Sequence, residues 1–174
     1  FIRKNCKRDL SQSCMLGFRK SKFKNILVMD GDLQHNPKYL PKMIEIFNKK
    51  NLDFLVASRN FQSAKNEGLS LMRFYASKII ISIFFIFVGK KTIDPMSGFF
   101  IFKKNIYVRN KKKLFGRGYK ILSDLIYSAN QTLKIYDFHI KFETRKKGKS
   151  KMSSKILYQL IIFILIKTLR KIIF

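Results

Sequence analysis

The sequence predicts an α/β fold with a mostly parallel sheet flanked by helices, and three observations point there. The apolar run Ile26-Leu27-Val28-Met29 reads as a short buried strand that ends abruptly in Asp30-Gly31-Asp32 and leads into a helix start at Asn36-Pro37. Three more strand-like runs, residues 52–58, 98–102 and 133–142, alternate with stretches of helical period. The 174 residues, 47% of them hydrophobic and 14% aromatic, suit one domain with a real core and exclude a disordered basic tail.

Taken in order, residues 1–20 are basic, with Leu10, Cys14, Met15 and Phe18 at helical spacing and Gly17 weakening the stripe, so a surface helix is expected. The strand at residues 26–29 then delivers its two aspartates to a loop, the position where α/β sheets present ligand sites. Asn36 supplies an N-cap and Pro37 a first-turn proline, and Leu40, Met43, Ile44 and Phe47 form the face by which the helix of residues 37–48 packs on the sheet.

Leu52 to Ser58 reads as a second buried strand with Arg59 at its exit. Residues 61–68 are polar and loop-like, and a long helix is expected from Leu69 to Val88 with Met72, Tyr75, Ala76, Ile79, Ile83 and Phe87 along one face. Its apolar half spans ten residues against the roughly 20 that a bilayer requires, leaving a core helix or one lying in a membrane interface. Asp94 to Gly98 is a turn entering a strand, where the glycine admits close approach of a ligand or backbone. Residues 103–113 are basic and expected to be solvated, Tyr119 to Asn130 helical, and Leu133 to Phe142 a half-buried strand with Tyr136, Phe138, Ile140 and Phe142 on one face. The run Arg145 to Lys151 is a basic, glycine-containing loop. Ser153 to Phe174 closes the chain as a helix whose apolar section is followed by Lys167, Arg170 and Lys171.

Two aspartates at i and i+2 repel one another, and a hard divalent cation with oxygen ligands relieves that repulsion; a solvated turn capping the next helix is the alternative. The charge balance, 37 basic against 10 acidic residues, calls for a polyanionic partner: nucleic acid, anionic lipid head groups or a phosphorylated substrate. Cys6 and Cys14 lack metal-ligand spacing and give no disulfide framework, and His35 and His139 are too isolated for a zinc site.

Asp30-Gly31-Asp32-Leu33-Gln34-His35-Asn36-Pro37 resembles the Asp-x-Asp-Leu-Gln-His-Pro-Pro segment of dolichol-phosphate mannosyltransferases and related polyprenyl-phosphate glycosyltransferases, inverting enzymes of family two. Further matches follow in that family's order: Ser58-Arg59, Asp94-Pro95-Met96-Ser97-Gly98-Phe99-Phe100, Gly118-Tyr119-Lys120-Ile121-Leu122 and Arg145-Lys146-Lys147-Gly148-Lys149-Ser150-Lys151. Lys149 departs from the glutamate common in relatives, and Asp9 and Ser13 stand where the family has glycine and alanine. Asp124 falls where relatives carry an acidic residue.

The resemblance implies a GT-A-like sheet, with residues 1–152 as a partial catalytic domain and 153–174 as a membrane-associated or juxtamembrane helix. It implies that Asp30, Asp32 and Gln34 hold Mg²⁺ or Mn²⁺ against the diphosphate of a nucleotide sugar such as GDP-mannose or a UDP-hexose. Arg59 would meet the donor phosphates, Asp94 would lie beside sugar and acceptor among the catalytic residues, and Arg145, Ser150 and Lys151 would hold the phosphate of a polyprenyl acceptor. The expected reaction is inverting hexose transfer at the cytoplasmic face of a membrane, on an anionic surface and with no nucleic acid partner.

The chain opens on Phe1 in mid-pattern, without the family's first strand and Pro-x-Tyr-Asn-Glu-like turn, so a fragment lacking the amino-terminal nucleotide-recognition half, and inactive by itself, is expected. The competing class is a basic module that binds nucleic acid or an anionic surface without catalysis, which explains the charge but not the acidic pair. A processive polysaccharide synthase of the same family is disfavoured because no Gln-x-x-Arg-Trp motif occurs and the chain has no Trp.

Overall fold

The computed structural model describes residues 9–32, 34–59, 79, 82–129, 132–141 and 154–173. Its strands are β1 (Asn25–Met29), β2 (Phe54–Arg59), β3 (Phe99–Lys103) and β4 (Ile135–Ile140). Its helices are α1 (Leu10–Lys20), α2 (Leu40–Lys49), α3 (residues 82–88), α4 (Lys104–Asn110), α5 (Ile121–Ser128) and α6 (Ser154–Ile173). The strands form one mixed sheet in the order β1-β3-β2-β4. β2 and β4 pair in parallel, and β3 runs antiparallel between β1 and β2. β1, β2 and β4 therefore share a direction, so their carboxyl ends and the amino end of β3 lie along one edge of the sheet.

Both faces are covered, which is why the central strands read as continuous apolar runs. On one face Phe54, Val56, Phe100 and Phe102 pack with Phe18 of α1, Ile106 and Tyr107 of α4, and Leu122 and Leu125 of α5. On the other, Met43 and Phe47 of α2 meet Leu55, Ala57, Phe99, Ile101 and Ile140. Each fully buried phenylalanine of these layers contributes roughly 1.5–3 kcal/mol. A third cluster joins Phe84 and Val88 of α3 to Phe163 and Ile164 of α6, with Met96 and Phe115 packed against it.

Side-chain caps fix two helix starts, the one at Asn36 as expected and the one at Asp9 without a sequence expectation. The Asn36 carboxamide oxygen accepts from the Lys38 amide at 3.0 Å ahead of the 3-10 turn Pro37–Tyr39, which runs into α2. The Asp9 carboxylate caps α1 through the Gln12 amide at 2.9 Å and also accepts the Gly118 amide at 2.8 Å, tying the helix to the turn before α5.

Elsewhere the structure corrects the sequence reading. β1 is not buried: it is an edge strand among the described residues, and Leu27 and Met29 on its α2 side are exposed because α2 sits over β2 and β3. Ile44 is likewise exposed, leaving Met43 and Phe47 as the buried face of α2. On α3 the buried residues are Phe84 and Val88, while Ile83 and Phe87 of the expected stripe are exposed, as is Ile79 upstream of residues 82–88, and Met72, Tyr75 and Ala76 lie outside the described residues. Residues 103–113 are not simply solvated, for α4 buries Ile106, Tyr107 and Asn110 before the exposed lysines 111–113. Lys167, read as part of a charged flank, is buried. Its ammonium lies 2.7 Å from the Asp124 carboxylate, with both side chains almost fully buried. Among the described residues no helix is long and apolar enough to cross a membrane.

Candidate active site

The antiparallel pairing of β1 with β3 brings the two most distinctive motifs together. Met29 pairs with Phe99, and one step further the Asp30 amide donates to the Gly98 carbonyl at 3.0 Å. The backbone of Gly98 thus lies directly against the Asp30 side chain, where a Cβ would fall 2.0 Å from Oδ2. His35 closes on the same carboxylate, with its Nε2 3.8 Å from Oδ2 and its ring 5.1 Å from that of Phe99. The histidine is buried, whereas the Asp30 side chain remains 42% exposed and open to a ligand. A Cβ at Gly31 would meet nothing within 4 Å, so the loop between the aspartates faces open space.

Asp32 folds its carboxylate back on the Gln34 amide at 3.2 Å, an Asx-type turn that shapes the loop before Asn36. Gln34 is half-buried beside it. Among the described residues no three His, Cys, Asp or Glu side chains converge into a closed metal cage. Cys14 of α1 is close enough to feel this charge: burial, then Asp30, then Asp9, push its thiol up to about 11.

The segment entering β3 is fastened at several points. The Tyr127 hydroxyl donates to the Gly89 carbonyl at 2.6 Å and accepts from the Lys91 amide at 3.2 Å. Burial is the main reason its phenol is pushed up to about 12. Asp94 is fully buried; its carboxylate accepts from the Met96 amide at 3.3 Å and its carbonyl from the Ser97 amide at 3.2 Å. The Ser97 hydroxyl reaches the Ala57 carbonyl of β2 at 2.7 Å, and the Ser123 hydroxyl of α5 donates to the Pro95 carbonyl.

Arg59 ends β2 in register with Ile140 at the end of β4, so it lies on the same edge of the sheet as Asp30 and Gly98. The chain leaving β4 leads to Arg145, Ser150 and Lys151, which lie outside the described residues. The structure therefore brings Asp30, Asp32, Gln34, the Asp94 loop and the Arg59 position to one rim. Sequence reasoning missed His35 as a neighbour of Asp30 and Asp137 as a support of the Asp94 loop. His35 was visible only as part of the acidic motif, and Asp137 only as a polar residue on the non-apolar face of β4.

Asp124, by contrast, is committed to the interior. Besides Lys167 it accepts the Phe115 amide at 3.0 Å and the Gly116 amide at 2.7 Å, holding the turn in which Gly116 takes φ +64°.

The chain is thus an α/β protein in which an acidic loop at the end of β1 abuts the Gly98 segment along one edge of a mixed sheet. Residues 1–110 match the family described as Glycosyl transferase family 2, and the chain belongs to that family. It is 31% identical over 160 residues to a dolichol-phosphate mannosyltransferase of Pyrococcus furiosus, covering 91% of this chain and 44% of that protein. It is 30% identical over 159 residues to the dolichol-phosphate mannosyltransferase of Saccharomyces cerevisiae, covering 87% and 58%. The chain thus spans about half the length of the curated relatives it matches.

Among solved structures, glucosyl-3-phosphoglycerate synthase of Mycobacterium tuberculosis in complex with phosphoglyceric acid superposes with a TM-score of 0.66 at 11% identity, over 94% of this chain and 56% of that one. The same enzyme with Mn²⁺, UDP-glucose and glycerol 3-phosphate gives 0.62 at 10% identity, over 94% and 55%. These likenesses establish a GT-A-like fold with a mixed open sheet.

Proposed function

We propose that the protein transfers a hexose, mannose or glucose in type, from a nucleotide diphosphate sugar to a polyprenyl phosphate with inversion. The observation that carries this reading is the abutment of the Asp30 loop on the Asp94–Gly98 loop at the sheet edge, within a chain whose named relatives are dolichol-phosphate mannosyltransferases. Asp30, Asp32 and Gln34 offer a hard oxygen donor set that suits Mg²⁺ or Mn²⁺, and the Gly98 cradle keeps the Asp30 carboxylate in place without covering it. A bound ion supplies Lewis-acid stabilisation of the departing diphosphate. Arg59 adds positive charge at the donor phosphates, and Arg145, Ser150 and Lys151 grip the acceptor phosphate.

A polyprenyl phosphate, with a second pKa of about 6, is already ionised at neutral pH, so its attack needs positioning rather than a general base. A buried Asp94 whose carboxylate accepts its own loop's amide fits an orienting role.

The site of action is the cytoplasmic face of a membrane, with residues 1–152 catalytic and 153–174 holding the surface. α3 and α6 pack through Phe84 and Phe163, stacked at 6.1 Å, yet turn Ile83, Ile86 and Phe87, and Ile161, Leu165 and Leu169, to solvent. Such paired apolar stripes on a strongly basic chain suit an anionic interface.

The test is transfer of labelled mannose or glucose from GDP-mannose or UDP-glucose to a short polyprenyl phosphate by the full-length protein. Transfer that disappears when Asp30 and Asp32 are both replaced by Ala supports the reading; transfer that survives the replacement, or goes to no lipid phosphate, overturns it.

A further inference from the structure

We propose that Asp137 is a positioning residue for this reaction, its carboxylate fixing the loop that carries Asp94 against the end of β2 that carries Arg59; this rests on the glycosyl-transfer reading above. Asp137 lies in β4 opposite Val56 of β2. Its Oδ1 accepts from the Ser58 hydroxyl at 2.5 Å and from the Thr92 hydroxyl at 2.6 Å. The Ile93 amide is shared between Oδ1 at 3.2 Å and Oδ2 at 3.1 Å. Ser58 immediately precedes Arg59, and Thr92 and Ile93 immediately precede Asp94. One carboxylate therefore gathers three donors from the two limbs of the site.

The arrangement does more than satisfy buried groups. Ser58 and Thr92 are almost fully buried, and an apolar contact there would fill space without fixing direction, whereas charge-assisted bonds set both distance and angle. The downstream half of the loop has its own fasteners, Ser97 to Ala57 and Ser123 to Pro95. Immediately upstream of Asp94, the Asp137 carboxylate holds Thr92 and Ile93, while the Tyr127 hydroxyl holds Gly89 and Lys91 further back. Removing the carboxylate frees the approach to Asp94 while leaving the exit held, so Asp94 shifts rather than the whole loop unfolding.

The experiment compares wild type with Asp137→Ala and Asp137→Asn in the full-length protein, by steady-state transfer kinetics and by amide hydrogen exchange at residues 92–98. Because a misplacement of about 1 Å can cost on the order of 100-fold, Asp137→Ala is expected to lower kcat by about 10- to 100-fold. The KM for the nucleotide sugar should stay within about threefold, since no donor contact is lost. Asp137→Asn, which keeps one acceptor oxygen, should fall between, and the Ile93 amide should exchange faster in the alanine variant.

A kcat per folded molecule that is unchanged while the melting temperature falls would make Asp137 a fold staple and overturn the proposal, as would unchanged exchange at Ile93. Should wild type transfer no sugar to any lipid phosphate, the transferase reading fails, and exchange at Ile93 still judges whether Asp137 holds the loop. If the alanine variant does not fold, Thr92→Val removes a single donor from the same carboxylate. It is then expected to lower kcat by about threefold at unchanged KM, and an unaltered kcat overturns the proposal.

Discussion

Gly98 presses its backbone against the Asp30 carboxylate so closely that a Cβ there would sit 2.0 Å from Oδ2 and 2.4 Å from the carboxyl carbon. Either the aspartate side chain or the strand pairing must give way to any larger residue. Because the atoms met are the carboxylate end of a side chain that is 42% exposed, Gly98→Ala is expected to turn Asp30 out of its place with little loss of stability and to lower transfer about 10- to 100-fold. Transfer kinetics alongside denaturant unfolding checks this; normal turnover would show that the contact is not restrictive.

The buried ion pair between Asp124 and Lys167 anchors α6 to α5. Lys167→Met leaves the Asp124 carboxylate buried without its cation, a change that costs about 3–5 kcal/mol. Replacing Asp124 by Asn in the same molecule should recover part of that loss, because a neutral side chain still has an oxygen for the Phe115 amide. Urea unfolding of the single and double variants decides the matter, and a loss below about 1 kcal/mol for Lys167→Met would contradict the pairing.

Burial lowers the Lys120 ammonium from its ordinary 10.5 to about 8, with its Nζ 5.7 Å from the centre of the Phe163 ring. Between pH 8 and 10.5 the unfolded chain keeps this proton while the folded chain sheds it, so the unfolded state binds more protons and this group makes stability rise with pH across that window. Below pH 8 both states are protonated and the full cost of burying the charge is present. Lys120→Met should accordingly be more stable than wild type at pH 7 and lack the alkaline rise. Parallel stability curves for the two proteins from pH 7 to 10.5 would refute the assignment.

Much of this architecture was legible in the sequence because its signals are local. A strand that stops at Asp30, a capped turn at Asn36 and alternation through β4 each depend on neighbours within a few residues. What stayed hidden depends on partners far along the chain. The meeting of Asp30 with Gly98 follows from the pairing of β1 with β3, and the bond between Asp137 and Thr92 spans 45 residues. Lys167 looks like a solvated charge until α6 is placed beside Asp124. α4, seven residues long, is too short for its two buried apolar residues, Ile106 and Tyr107, to declare a period. The stripe of Ile79, Ile83 and Phe87 was legible as periodicity, but which side of α3 it faced was decided by Phe84 meeting Phe163.

The outward apolar stripes of α3 and α6 predict binding to vesicles that contain anionic lipid. Lys90 and Lys91 lie exposed at the end of α3, and basic residues near such a surface contribute about 1 kcal/mol each, a contribution that salt screens. Co-sedimentation should thus weaken with rising salt and with the double change Ile86→Glu and Leu165→Glu. Equal binding to neutral and anionic vesicles, or tight binding to duplex DNA with no lipid binding, would contradict the membrane reading.

The most direct test of the central claim is calorimetric titration of Mn²⁺ into the full-length protein, with and without a nucleoside diphosphate, for wild type and for the variant with Asp30 and Asp32 both replaced by Ala. Two carboxylates and an amide leave most of an octahedral shell to water and phosphate oxygens, so the metal should bind weakly alone and much more tightly with the diphosphate present. The double variant should lose that enhancement. Mn²⁺ and the nucleoside diphosphate binding together as tightly in the double variant as in wild type would show that the acidic loop does not hold the metal.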